Sequence, residues 1–199
     1  MRLRRHAENG LPDAVRALGD RYHSGSALLE KSEVEAARLY ERAVELDCVE
    51  AMGTLGNCYE DGVGVEMNKK KAEQLYRRAA DRGCALGQCN LGRILYDNGD
   101  LSESVRLLGL AAAQGLTVAQ YNLGTYHWSG IGVPQNPEEA KRLWGLAAAK
   151  GHAEAQFSLG GLAYDDGDLS EAARLLGLAA ALGHPEARRA ASELSSRSP

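Results

Sequence analysis

The chain repeats one pattern of apolar and small residues five times. A Leu-Gly pair recurs with its glycines 37, 36, 32 and 36 residues apart. The pairs are Leu18-Gly19, Leu55-Gly56, Leu91-Gly92, Leu123-Gly124 and Leu159-Gly160. A repeat of this length is typical of solenoid proteins, and it has room for two helices and their connection. The pattern therefore predicts a row of helical hairpins.

A second segment of each unit carries a small, a large and a small residue at offsets of four and three. These sets are Ala36/Tyr40/Ala43, Ala72/Tyr76/Ala79, Ser104/Leu108/Ala111, Ala140/Trp144/Ala147 and Ala172/Leu176/Ala179. Such offsets place side chains on one face of an α-helix. Because a glycine inside a helix costs about 1 kcal/mol relative to alanine, its recurrence needs a packing reason. We expect Gly and Ala to let the two helices approach closely, and the large residue to fill the gap to the next hairpin.

The helix boundaries follow from capping residues. Second helices are predicted to begin at Ser32 with Glu35, Asp100 with Glu103, Asn136 with Pro137, and Asp168 with Glu171. They are predicted to end at Gly83, Gly115, Gly151 and Gly183, with Asp47 in that place in the first unit.

These signals predict an all-α fold, an αα-hairpin solenoid, in one repeat domain over residues 1–199. Its parts are a partial helix (1–10), five hairpin repeats (11–47, 48–83, 84–115, 116–151 and 152–183), and a C-terminal capping helix with a tail (184–199).

Two longer connections carry the motif Gly-x-Gly-Val, at 62–65 and 130–133. With the Leu-Gly pair and the Ala-rich second helix, this motif resembles the Sel-1-like repeat. The unit 50–83 matches nearly throughout, including Tyr59, Lys71-Ala72 and Tyr76. The shorter units lack the Gly-x-Gly-Val form, and their spacing is similar to that of the related tetratricopeptide hairpin. The first connection, 25–31, also departs from the Gly-x-Gly-Val form. The resemblance implies a superhelical scaffold that binds other proteins.

Charge and hydropathy exclude several partners. The net charge is -4 and the pI about 5.8, so the chain lacks the positive field that nucleic acid requires. No apolar run approaches the roughly 18 residues of a membrane span, and the basic start leads into no signal-peptide stretch. We expect a soluble, cytoplasmic protein without direct membrane insertion.

Candidate chemistry is sparse. The Gly-x-Gly motifs follow no predicted strand and lack a third glycine, so we expect no nucleotide cofactor. The four cysteines do not recur as pairs and lack zinc-site spacing, so we expect four free thiols and no metal. His152 and His184 share a loop position that almost any residue could occupy. Because the sequence contains no nucleophile motif, we predict that the protein has no catalytic residues and is not an enzyme.

One helical face remains as the candidate binding surface. Residues at -3, +1 and +4 from each Leu-Gly glycine share a face of the first helix, and in related hairpin solenoids this face lines the concave groove. The candidate partner-binding residues are Arg16, Asp20, His23, Asn57, Glu60, Arg93, Tyr96, Tyr121, Thr125, Trp128, Phe157 and Tyr164. The face is polar in the first two units and turns aromatic in the last three.

The aromatic positions differ in their alternatives. Tyr121 and Phe157, at -3, could equally be part of the hairpin packing, whereas Tyr96, Trp128 and Tyr164, at +4, are better placed to meet a partner. Among these residues, Trp128 is the first candidate for contact with a partner. We expect His127 to be a polar substitution in the core rather than a catalytic base.

These expectations favour a non-catalytic adaptor that binds a peptide or a helix of another protein, as a monomer or within a hetero-complex. One alternative is a structural subunit built permanently into a large assembly. A small hydrolase is a more remote alternative.

Overall fold

A computed structural model describes residues 2–25 and 29–197 of the chain. These residues form twelve α-helices, and within them no β-strand occurs, only an isolated bridge residue at Leu29. The helices are α1 (Arg2–Glu8), α2 (Pro12–Ser24), α3 (Glu33–Glu45), α4 (Val49–Asp61), α5 (Lys69–Asp81), α6 (Ala85–Asp97), α7 (Leu101–Ala113), α8 (Thr117–Ser129), α9 (Pro137–Ala149), α10 (Ala153–Asp165), α11 (Leu169–Ala181) and α12 (Pro185–Arg197).

The described helices form four hairpins, α2/α3, α4/α5, α8/α9 and α10/α11. The short α1 packs against α2, α6 against α5, α7 against α8, and the terminal α12 against α11. This arrangement confirms the predicted all-α fold of αα-hairpins. The chain separates into two compact units, Met1–Gly99 with α1 to α6 and Asp100–Pro199 with α7 to α12. We call them unit 1 and unit 2. The expectation of a single repeat domain stays a prediction, and residues 26–28 of the first connection lie outside the described part.

The helices are uniform in length, and α2 to α12 each contain 13 residues. Within the described part of the chain, none combines the length and the apolar character that crossing a lipid bilayer demands.

The predicted capping residues act as expected. The Ser32 hydroxyl accepts a hydrogen bond from the Glu35 amide at 3.3 Å, and Asp100, Asn136 and Asp168 cap the later second helices in the same way. Asp47 has a φ of 68°, which confirms that it replaces glycine beyond the end of α3. The sequence analysis missed Asn68, whose side chain accepts from the Lys71 amide at 3.0 Å.

The Leu-Gly glycine allows the close approach that the sequence predicts, and it also makes room for a large side chain. A Cβ built on Gly56 would lie 2.7 Å from Cδ1 of Tyr76, the large residue of the same hairpin. Gly19, Gly124 and Gly160 face Tyr40, Trp144 and Leu176 in the same manner. The backbone of the second helix is also close, because a Cβ on Gly19 or Gly124 would lie 3.3 Å or 3.2 Å from the carbonyl oxygen of Ala36 or Ala140. The glycine therefore makes room both for the second helix and for a large side chain of its own hairpin. As predicted, the same large residues also reach the next hairpin, because Tyr40 belongs to a core cluster with Met52 and Leu55.

The Gly-x-Gly-Val connection packs against the start of the preceding second helix. Gly64 has a φ of 73°, and a Cβ on it would lie 2.9 Å from the Val34 amide nitrogen and closer still to the Glu33 carbonyl. Only glycine satisfies both conditions, the left-handed conformation and the close approach. The motif thus joins one hairpin to the hairpin before it.

Buried glutamines form a second link between hairpins. The Gln120 side-chain amide donates to the Ala112 carbonyl at 3.2 Å, and that of Gln156 donates to the Ala148 carbonyl at 3.0 Å. Each acceptor lies in the last turn of a second helix, where carbonyls lack a partner within the helix. Each glutamine therefore ties a first helix to the end of the preceding hairpin.

We expect Gly56→Ala to lower the free energy of unfolding by about 2 kcal/mol, because overpacking against Tyr76 outweighs the better helix propensity of alanine. Urea denaturation followed by circular dichroism measures the change. Gly109→Ala is the matched control, since no atom lies within 4 Å of a Cβ built on Gly109. It should stabilise the protein by up to about 1 kcal/mol. Equal stability of Gly56→Ala and the native protein would contradict the packing role.

Candidate functional site

The predicted binding face of unit 1 begins with polar residues that bond to one another. Arg16 and Asp20 form an ion pair with a 2.8 Å separation, one turn apart on α2. The buried Tyr40 donates its hydroxyl proton to Asp20 at 2.9 Å. Burial and the hydrogen bond to Asp20 raise the pKa of Tyr40 far above its usual range, so the phenol stays protonated.

A larger network joins three helices further along unit 1. The Tyr76 hydroxyl lies 2.7 Å from Asn57 Oδ1 and 2.8 Å from Glu60 Oε2, and donates its proton to one of them. Asn90 donates to the same Asn57 oxygen at 2.7 Å, and Arg93 forms an ion pair with Glu60. Three predicted site residues, Asn57, Glu60 and Arg93, are thus brought together.

The charge of Glu60 is stabilised within this network. Burial alone would raise the pKa of Glu60, but the hydrogen bonds from Tyr76 and Arg93 and the charge of Arg93 outweigh it. The pKa therefore falls below its ordinary value of 4.5, and the carboxylate is ionised at neutral pH.

The remaining predicted residues of unit 1 are more accessible. His23 and Asn57 line a cavity of about 200 Å³ together with Tyr40 and Asp61. Tyr96 is 41% exposed near the end of α6. Polar side chains dominate this face, as the sequence pattern predicts.

In unit 2 the structure brings four predicted residues into one cavity. Tyr121, Thr125, Trp128 and Phe157 line a space of about 380 Å³. A neighbouring cavity of about 300 Å³ includes Tyr164. The two cavities share Phe157, Gly161 and Asp165, so they are parts of one surface. We call this surface the aromatic groove, lined by Tyr121, Thr125, Trp128, Trp144, Phe157, Ser158, Gly161, Leu162, Tyr164, Asp165, Leu176, Ala190, Glu193 and Leu194.

The rings of the groove rest on the hairpin core. The Trp128 ring centroid lies 5.4 Å from that of the buried Trp144, and the two planes are inclined by 39°. Trp144 donates its indole N–H to the Tyr121 carbonyl at 3.2 Å. Trp128 is therefore half-buried and contributes both to the groove and to the packing beneath it.

His152 and His184 correct the sequence interpretation, which treated them as ordinary loop residues. Each is the N-cap of the following helix: His152 Nδ1 accepts from the Ala155 amide at 3.3 Å, and His184 Nδ1 accepts from the Ala187 amide at 3.2 Å. Each ring also stacks on an aromatic ring of the preceding hairpin. The centroid distances are 4.7 Å for Tyr121–His152 and 4.3 Å for Phe157–His184.

This stacking shows that the -3 aromatics take part in the packing between hairpins. Tyr121 and Phe157 also line the groove, so their role in binding a partner stays a prediction. The identical register of the two histidines, directly after the terminal glycine, is the signal that could have revealed the pairing.

Two further residues depart from expectation. Trp144, predicted as a core residue only, also lines the groove, because the adjoining +1 positions carry the small side chains of Thr125 and Gly161. His127 is half-buried, and its Nδ1 is enclosed without a hydrogen-bond partner in the described part of the chain. The neighbouring Tyr126 is buried, as is Cys58 at the same register of α4.

A wider cleft lies on another face of unit 2, between α9, α10 and α11, with a volume of about 840 Å³. In unit 1, Tyr59 of α4 bridges the equivalent second helices, donating to Glu41 at 2.7 Å and lying beneath Lys71. The residues at those three registers in unit 2 are Ala163, Gly145 and Glu171, all of which line the cleft. Unit 2 therefore lacks the side chains that bridge the second helices in unit 1.

Three of the four cysteines, Cys48, Cys58 and Cys89, are buried. All four are unpaired, and burial raises the pKa of the Cys58 and Cys89 thiols to about 11. The Cys48 sulfur lies 3.6 Å from Asp13 Oδ1 and 3.8 Å from Glu50 Oε2. Burial and the two carboxylates raise the pKa of Cys48, so its thiol acts as a hydrogen-bond donor.

Comparison with known proteins gives a consistent result. The sequence profile of the Sel1 repeat matches residues 12–48, 49–84, 85–116, 117–152 and 153–184. The chain is 32% identical over 93 residues to chitin synthase regulatory factor 2 of Schizosaccharomyces pombe. This match covers 47% of the present chain and 18% of that protein. It spans 14% to 18% of the length of the curated relatives it matches.

Two solved structures resemble the fold. The protective antigen c5321 of uropathogenic Escherichia coli strains, which displays an SLR fold, superposes with a TM-score of 0.75 at 29% identity, over 97% of this chain and 43% of that one. A Sel1 repeat protein from Oxalobacter formigenes also gives a TM-score of 0.75, at 26% identity, over 88% of this chain and 75% of that one.

The lowered pKa of Glu60 generates a pH-dependent prediction. A carboxylate with a lowered folded-state pKa stabilises the fold at neutral pH, and this contribution disappears as the pH falls through that pKa. Glu60→Gln should therefore cost about 1 kcal/mol at pH 7 and progressively less in acid. Urea denaturation across a pH series measures both.

Glu73→Gln is the control for this experiment. Glu73 forms an exposed ion pair with Arg77 on the surface of α5, for which we expect a change of only about 0.3 kcal/mol. A loss for Glu60→Gln that stays constant from pH 7 into acid would show that packing, and not the charge, is responsible.

Proposed function

We propose that this chain, which belongs to the Sel1 repeat family, is a non-catalytic adaptor that binds a peptide or a helix of a partner protein in its aromatic groove. Sel1 repeats generally build scaffolds for protein interaction. The proposal adds the place of binding and the kind of ligand to that general role.

The observation that carries the proposal is the arrangement of rings in unit 2. Tyr121, Trp128, Phe157 and Tyr164 line two adjoining cavities on the same register of α8 and α10. Rigid aromatic side chains offer large contact areas for a small loss of conformational entropy, and they dominate binding energies at protein interfaces. A groove of this kind fits apolar anchors from an extended or helical segment.

The chemistry of the remaining side chains supports a role without catalysis. The tyrosines with hydroxyls deepest in unit 1, Tyr40 and Tyr76, have pKa values raised by burial and by carboxylate neighbours. The buried thiols Cys58 and Cys89 are protonated at neutral pH. These groups are held in the protonation state that stabilises the fold rather than one suited to proton transfer. The matched family is a helical repeat scaffold that is typically non-catalytic.

One observation favours the second candidate, a structural subunit. Three leucines at the same register of α7, α9 and α11 are each 42% to 43% exposed: Leu110, Leu146 and Leu178. The same register in unit 1 carries the exposed residues Arg42 and Arg78. A repeated apolar position on an outer surface is typical of a face covered by another protein.

We expect the groove to determine which proteins the chain captures. Trp128→Ala and Tyr164→Ala should each weaken binding of a groove ligand by about 2 kcal/mol, because each removes an aromatic anchor. Affinity capture from the native source, with native and variant chains as parallel baits, measures which proteins are lost. Dissociation constants for the recovered partners then give the magnitude.

Val118→Ala is the control bait, because Val118 is 48% exposed, close to the 42% of Tyr164, and only Tyr164 lines the groove. Tyr164→Ala should lose partners with little loss of stability, whereas Trp128→Ala should also lower the melting temperature through its contact with Trp144. If Trp128→Ala lowers the melting temperature while both aromatic variants retain every partner at unchanged affinity, binding in the groove is excluded.

The leucine face generates a separate test of the subunit alternative. Leu146→Arg combined with Leu178→Arg gives unit 2 the side chain that unit 1 carries at this register. For an adaptor we expect the captured proteins and their affinities to stay within about twofold of the native chain, since rim charges add little affinity. Loss of partners from this double variant, with the groove variants unaffected, would favour the structural subunit.

A further inference from the structure

We propose that the aromatic groove recognises a basic side chain, arginine or lysine, which lies over Gly161 with its charge against Asp165. This inference rests on the proposed adaptor function and adds the chemistry of the ligand. It depends on three features of α10: an unpaired carboxylate, an open space beside it, and aromatic rings around that space.

The first feature is the carboxylate of Asp165. It is exposed, and it forms no hydrogen bond or ion pair with any described side chain. Asp165 is also the last residue of α10, whose final turn contains no basic residue. A negative charge at a helix C-terminus is unfavourable because it meets the negative end of the helix dipole. The residue therefore lacks a stabilising role in the fold, whereas a cation bound there would compensate both negative charges.

The second feature is revealed by the equivalent helix of unit 1. In α6, Arg93 lies one turn before Asp97, and their charged groups are 3.8 Å apart. Counted from the Leu-Gly glycine, Arg93 corresponds to Gly161 and Asp97 to Asp165. Unit 2 thus keeps the acid and lacks the base.

The position of the missing arginine is open. No atom lies within 4 Å of a Cβ built on Gly161, and Gly161 lines both cavities of the groove. Phe157 lies one turn before Gly161 on the same helix and lines both cavities with it. A side chain supplied by a partner can therefore enter where Arg93 lies in the other unit.

The third feature is the chemistry of the walls. The described residues that line the two cavities include two acids, Asp165 and Glu193, and no lysine or arginine. Aromatic rings attract cations through their negative faces, and arginine also stacks on them. The chain already contains such a pair, since the Lys71 ammonium lies 4.8 Å from the Tyr59 ring centroid. Rings and carboxylates together complement a cationic side chain with an apolar stem.

The test begins with a displayed library of random peptides selected against the full chain. We expect the enriched peptides to share an arginine or lysine flanked by apolar residues. A synthetic, fluorescein-labelled peptide of the enriched sequence is then titrated by fluorescence anisotropy. Replacing its basic residue with citrulline or glutamine should weaken binding about tenfold or more, the usual effect of losing a charge-assisted hydrogen bond.

Variants of the protein locate the interaction. Asp165→Asn should weaken binding of the same peptide about tenfold, and it should cause little further loss once the peptide is neutral. Gly161→Arg should fill the site in the way that Arg93 does in unit 1 and weaken binding at least tenfold. Gly177→Arg is the control, because Gly177 also has open space around it and lies on α11 outside the groove. It should leave binding unchanged.

The possible outcomes separate this inference from the adaptor function. One result overturns this inference and leaves the adaptor function intact: the peptides lose binding with Gly161→Arg or Tyr164→Ala, but they contain no basic residue. The same holds if these peptides bind Asp165→Asn as tightly as the native chain. Absence of any enriched peptide, or binding that ignores every groove variant, counts against both. Thermal melts accompany each variant. If Gly161→Arg fails to fold, the double-mutant cycle that combines Asp165→Asn with the neutral peptide is sufficient to test this inference.

Discussion

The structure depends on the contact between a first-helix glycine and the large side chain of the second helix in the same hairpin. The Tyr76 ring lies where a side chain on Gly56 would be, and Tyr40, Trp144 and Leu176 make the same contact elsewhere. Because protein interiors are close-packed, this contact fixes both the separation of the two helices and the direction of the large side chain. The hydroxyls of Tyr40 and Tyr76 consequently reach Asp20, Asn57 and Glu60, and Trp144 is brought beneath Trp128. The polar face of unit 1 and the aromatic groove of unit 2 both follow from it.

The sequence predicts the hairpins, their caps and their register, because each depends on residues close together in the chain. Ser32, Asp47 and Asn136 act through backbone groups within a few residues of themselves. Contacts between repeats are harder to predict. The spacing of the Leu-Gly glycines is the same whether they face only the backbone of the second helix or also a ring, as Gly19 and Gly124 do. The stacking of His184 on Phe157 and the hydrogen bond from Gln156 to Ala148 join adjacent hairpins, and a single sequence contains no direct sign of which surfaces meet.

The side chains on the same helical face differ between the two units. In unit 1 the charged groups at this face are already paired, as with Arg16 and Asp20 or Glu60 and Arg93. A partner would have to break those bonds, and the new contacts would first have to offset the free energy of the broken ion pairs. In unit 2 the face offers rings, a glycine and an unpaired carboxylate, which lose little when they are covered. The contrast in the sequence from polar to aromatic thus corresponds to a contrast in how much of the face remains available.

The wide cleft between α9, α10 and α11 also bears on how the chain unfolds. In a row of repeats, stability is close to a sum of the stability of each hairpin and its coupling to the next. Unit 1 strengthens that coupling with the Tyr59 bridge from Glu41 to Lys71, whereas Ala163, Gly145 and Glu171 supply no such bridge in unit 2. The junction between α9 and α10 relies instead on apolar contacts, on the stacking of His152 on Tyr121 and on the Gln156 hydrogen bond. We therefore expect the last hairpin and α12 to open locally, exchanging amide hydrogens and admitting proteases before the rest of unit 2 unfolds.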